Sequence, residues 1–158
     1  MQPQMIVFGL INALHDLFTV IWIGGLYVTA LAVMPAFKTT LKPLDKENTF
    51  LTNYQKKLST LVFISIIGLW VTGVLLSRRS DQFAGFLDFG SQYAVFISFK
   101  HILTILMIAI AIMRRFAVGR DLSKITPQGM KFYIGLLMTN LVLGTAVLVL
   151  SGLAAAMP

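Results

Sequence analysis

The chain of 158 residues contains no cysteine. Thiolate metal sites, iron–sulfur clusters and disulfides are thereby excluded, and cysteine usage does not mark a redox compartment. Charge is scarce too. Asp, Glu, Lys and Arg together make up 12% of the residues, with six acids against thirteen bases. Histidine occurs twice, as His15 and His101. No low-complexity tract and no soluble repeat divides the sequence, so one domain is expected over residues 1–158. What is abundant is apolar: 57% of the residues are hydrophobic.

That apolar content is gathered into four stretches of roughly 20 residues, each enough to cross a hydrocarbon core. They lie near Ile6–Pro35, Leu58–Ser77, Tyr93–Met113 and Phe132–Ala154. The first is too long for a cleaved signal peptide and lacks its processing signals, so it reads as a true span. In lipid a backbone must satisfy its own hydrogen bonds, which predicts helices. The expected fold is all-α: an integral membrane four-helix bundle running up-down-up-down. Between the first two spans, residues 44–57 follow a break at Pro43 and carry a helix start at Asp45 and scattered apolar positions, which suits an amphipathic segment on the inner membrane surface.

The formal charge of +7 is not a nucleic-acid signal, because of where it sits. Lys38, Lys42, Lys46, Lys56 and Lys57 fall between spans one and two; Arg114, Arg115, Arg120, Lys124 and Lys131 fall between spans three and four. The middle loop holds only Arg78 and Arg79, and the tails hold no base. By the positive-inside asymmetry the first and third loops face the cytoplasm and both termini lie outside. The partner of these loops is then anionic lipid of a cell's inner membrane.

With that topology spans one and three both run inward. His15 lies about nine residues below the outer start of the first and His101 about eight below that of the third, a depth of roughly 12–14 Å in each. An ionisable group inside a bilayer is costly and usually faces the bundle interior. Two separate structural hydrogen bonds would account for the pair. The sharper expectation is one metal centre built inward from facing helices. Two imidazoles are too few for tetrahedral zinc, but they complete the coordination of an iron whose other four ligands come from a porphyrin. Haem b with His15 and His101 as axial ligands is therefore expected. Thr19, Trp22 and the Gly24–Gly25 pair follow His15 on its face, and Gly25 and Trp22 would border a flat macrocycle; close helix packing explains the glycines, and core packing Trp22, as well. Arg78, Arg79 and Lys100 are the only cations on the outer side and suit the propionates, with snorkelling as the alternative for the arginines. Asp16 either pairs with Lys100 across the helices or orients an imidazole, fixing its tautomer together with Thr19.

The segment "LHDLFTVIWIGGLYVTALAVMPAF" resembles the first span of the CopD-like superfamily of membrane proteins: a leading His, then W-x-G-G, then a Pro near the inner end. "YQKKLSTLVFISIIGLWVTGVLL" and "FKHILTILMIAIAIMRRF" are similar to its second and third spans. The likeness covers Leu10 to Phe116. It implies copper uptake or handling as one function, haem b binding in four-helix relatives as another, and a haem-dependent oxidase of the HemJ type as a third. By resemblance His15 corresponds to the superfamily's first-span histidine, and Lys100 matches better than His101 does. A Cu(I) path favours a ladder of soft ligands, and here the methionines are scattered. The expected function is electron transfer by a bis-His haem, with a quinol or an outer redox protein as partner. One haem does not cross the bilayer, so a transmembrane path needs a quinone, a redox partner or a homo-oligomer.

Overall fold

The computed structural model describes residues 3–36, 46–77, 87, 89–118 and 125–156. Four helices run through them: α1 (Pro3–Ala36), α2 (Lys46–Ser77), α3 (Gln92–Phe116) and α4 (Pro127–Ala155). All four are long and apolar enough to cross a membrane. The molecule is an all-α, multi-pass membrane protein.

Local chemistry sets the helix starts. Ser91 caps α3, its hydroxyl accepting from the Ala94 amide at 3.1 Å. Thr126 caps α4 in the same way through Gly129, with Pro127 in the first turn, where its missing N–H costs nothing. Helix α2 starts well before its apolar stretch. No Gly or Pro stands between Lys46 and Gly68, so residues 46–57 are continuous with the span. Two π-helical turns interrupt α1, at Val20–Gly24 and Thr29–Val33, and α3 passes into a third at Met113–Val118. Such turns re-aim side chains without ending a helix.

Neighbouring helices are antiparallel. Near one end His15 of α1 meets Thr72 of α2; further along, Gly25 takes Leu58 against its Cα. Helix α3 lies along α4, where Gly144 admits both the Met107 methyl and Ile23 of α1. These glycines let backbones approach, the usual device where lipid gives no hydrophobic drive between helices. Helices α1 and α3 are diagonal and share few contacts.

The core is lopsided. Trp22, Ile23, Leu26, Ala30, Tyr133 and Leu137 form its centre, all from the end of the bundle that carries Arg114. The first half of α1, Pro3–Thr19, buries no residue at all; Leu10, Leu14 and Leu17 are exposed on it. A bridge at mid-bundle joins α1 to α4: Tyr27 Oη and Thr145 Oγ1 are 2.7 Å apart, and because Thr145 gives its one proton to the Leu141 carbonyl, Tyr27 is the donor. Tyr27→Phe is expected to lower stability by about 0.5–1 kcal/mol, the scale of an interhelical hydrogen bond in a membrane. Equilibrium unfolding in mixed micelles reads this, and an unchanged midpoint would show the bond contributes nothing.

Candidate metal centre

His15 is half-buried on α1, facing α2. Its Nδ1 lies 2.8 Å from Thr72 Oγ1, and the same hydroxyl donates to the Gly68 carbonyl at 2.7 Å. A hydroxyl has one proton. Since the carbonyl can only accept, that proton is committed to Gly68, and Thr72 must accept from His15. The imidazole therefore carries its proton on Nδ1 and keeps a lone pair on Nε2. This is the arrangement by which an outer partner fixes the tautomer and orientation of a metal-ligating histidine. Gly73, one residue on, leaves room beside the ring: a Cβ there would sit 3.7 Å from His15 Cε1. Thr19, expected as an orienting group, acts on the backbone instead and donates to the His15 carbonyl at 2.9 Å.

Asp16 and Lys100 both lie near enough for their charges to act on His15. They also act on each other. Among the described residues no direct ion pair joins them; Asp16 takes a long, weak hydrogen bond of 3.5 Å from Asn12 on its own helix. Lys100 is the α3 residue whose charge bears on His15. His101, the next residue, lies about 100° further round the helix. It is half-buried and engaged in an interaction of its own. Arg78 and Arg79 lie outside the described residues.

Trp22 and Gly25 are not brought beside His15. Gly25 packs on Leu58, and Trp22 is buried with Gln55, Arg114 and Asn140 near the opposite end of the bundle. Trp70 is exposed on α2. The role of Thr72 appears only once the register of α1 on α2 is known. The pairing has a signal nonetheless, a lone polar residue on an apolar helix at a depth matching the histidine.

The family profile of copper resistance protein D, CopD, matches residues 53–155, well over half the chain. The protein belongs to the CopD family. The match takes in α2, α3 and α4, including the fourth helix, which carries no motif of its own, and stops short of α1 with its W-x-G-G segment. No curated protein and no solved structure matches the chain.

Two metal groups can be tested against these residues. Copper held as a closed site needs several donors together, and among the described residues no three His, Cys, Asp or Glu side chains converge. Met107 and Met34 are buried in packing, Met107 against Gly144. Haem asks less of the protein: one or two axial donors and an apolar slot. His15, with Nε2 available, fits as one donor, and the thinly packed first half of α1 adjoins it.

Proposed function

We propose that this CopD-family protein binds one b-type haem at its His15 end and passes electrons through it. The observation that carries this reading is the Thr72–His15 hydrogen bond, which leaves Nε2 as a preformed donor on the loosely packed half of the bundle. His15 and His101 would hold the iron. Lys100, joined by Arg78 and Arg79 as the sequence order suggests, would supply the positive charge that propionates need. A haem bound here would supply one-electron redox chemistry. Thr72 holds the His15 ring, and Asp16 and Lys100 set the local charge. The termini and the His15 end face the outside of the inner membrane on this reading, since the basic loops lie at the other end. Quinol in the lipid, an outer redox protein or a second copy of the chain would complete the electron path.

Copper handling is the second reading, favoured by the family's own description. Copper would then be cargo, with His15 as a transient ligand.

The test is an optical spectrum of the detergent-purified protein, oxidised and dithionite-reduced, after expression with ample haem. A low-spin b-type spectrum in the wild type is expected. Haem should be lost or high-spin in His15→Ala and high-spin in His101→Ala. If Lys100→Met produces the high-spin form and His101→Ala does not, the second ligand is Lys100. A protein without a Soret band but with copper near one equivalent would replace the haem reading with the copper one.

A further inference from the structure

The half of α1 that buries no residue carries two polar side chains on its outer surface. Asn12 and Asp16 are both exposed, one turn apart on one side of the helix. Asp16 accepts a hydrogen bond of 3.5 Å from Asn12, which is long and weak. Among the described residues neither side chain has a further hydrogen bond or an ion pair, and Lys100 acts on Asp16 only at a distance. Met5, Gly9 and Ala13 lie beside them, all exposed and all within about 60° of one line along the helix.

Two neighbouring helices place this face below the membrane surface. His15, the residue before Asp16, meets Thr72 of α2. Five more helical residues, 73–77, separate Thr72 from the next charge in the sequence, Arg78, a length of about 8 Å. On α3, Lys100 stands nine residues beyond the Ser91 cap, about 13 Å along the helix. A carboxylate at such a depth is costly, and unlike a lysine it has no long stem to carry its charge to water. An exposed amide there is costly as well. Polar side chains inside a membrane face protein rather than hydrocarbon, so the Asn12–Asp16 face calls for a covering helix.

The chemistry of the face selects its partner. Asn12 offers donor N–H groups and Asp16 acceptor oxygens, so the pair is its own complement. Under a twofold axis along the membrane normal, Asn12 of each copy donates to Asp16 of the other. Gly9 and Ala13, four residues apart on the same face, let two identical backbones come close. Gly25, Gly68 and Gly144 each admit a side chain of their own molecule, whereas a Cβ on Gly9 would meet nothing within 4 Å. With the crossing point at Gly9 and Ala13, the two helices diverge beyond it, which keeps the two carboxylates apart. We propose that the Gly9–Asp16 face of α1 is the contact between two copies of this chain in the membrane, with Asn12 and Asp16 paired across it. His15 lies about 100° away around the helix and keeps its Thr72 contact within each copy, so the pairing does not depend on the haem reading.

The absence of cysteine makes the contact easy to map. Single cysteines are placed on the face, as Gly9→Cys and Ala13→Cys, and on other exposed sides of α1, as Val7→Cys, Leu10→Cys and Leu14→Cys. The full chain is reconstituted at low density in phosphatidylcholine vesicles and oxidised. An adduct of twice the chain mass is expected at Gly9→Cys and Ala13→Cys, forming at least tenfold faster than at the other three positions. In the Ala13→Cys chain, adding Gly9→Ile should slow the reaction at least tenfold, and adding Asn12→Leu about fivefold. Both added changes lie on an exposed surface, and a side chain at Gly9 meets nothing in its own molecule, so the fold is kept. No adduct, equal rates at all five positions, or a rate unmoved by Gly9→Ile or by Asn12→Leu overturns the proposal. The reaction is repeated in native membranes, where an adduct of another mass in place of the doubled chain assigns the face to a different protein and overturns it too.

Discussion

Gly68→Val should split α1 from α2 and cost about 2–3 kcal/mol, near the upper range for overpacking a well-filled contact. A Cβ at this position would fall inside the van der Waals envelope of three ring carbons of Phe18. The ring lies against the Gly68 backbone, and Thr72, four residues on, hydrogen-bonds the Gly68 carbonyl. Valine therefore displaces Phe18 and disturbs the seat of His15 together. The expected readout is a lowered unfolding midpoint in micelles, with partial recovery when Phe18→Ala is combined with it. Additive losses in the double variant would mean that the ring is not what the valine strikes. Gly144→Ala makes a useful contrast. The neighbour nearest to an added Cβ is the flexible end of Met107, at 3.2 Å, and the cost should be small.

Thr72→Val is the second large effect. Valine keeps the shape of threonine and removes the only hydrogen-bond partner seen for His15 Nδ1 among the described residues. With His15 as an iron ligand, haem affinity should fall about 10–100-fold, the scale set by losing an outer partner of a ligating histidine. Thr72→Ser should keep most of the affinity. A second readout needs no metal. ¹⁵N NMR of the haem-free protein should show His15 protonated on Nδ1 in the wild type, and a mixture or the Nε2 tautomer in Thr72→Val. An Nε2-protonated wild-type ring would mean that Thr72 donates to His15, and the free donor on which the centre depends would be absent.

The spans were legible because a bilayer imposes a length and an apolar composition that composition alone reveals. The starts of α3 and α4 were less so, although Ser91 and Thr126 are ordinary caps. The continuity of α2 back to Lys46 follows from an absence, no Gly or Pro until Gly68, that polar residues such as Asn53 and Gln55 obscure. At the site, His15 stood out from its apolar surroundings. Its partner could not, because Thr72 is an unremarked hydroxyl until two helices are placed in register. Matched depth suggested that His15 and His101 face one centre; depth says nothing of rotation about a helix axis, and the structure brings the charge of Lys100 to bear on His15. Arg114 read as a loop cation through the same limit. Its burial depends on which way the last turn of α3 points, and that turn is π-helical.

The unequal packing of the two ends has a consequence for how the molecule is kept in order. One end is clasped by Trp22, Leu26, Tyr133 and Leu137, while the first half of α1 buries no residue fully and is held to α2 by Phe18 on Gly68 and His15 on Thr72. Opening of the clasped end is tied to loss of the whole bundle, whereas the other end is free to breathe alone. Amide exchange should rise steeply along α1 from Ala30 back to Phe8. The protein is in this respect a tweezer: a fixed grip at one end, and jaws whose spacing is set by whatever lies between them.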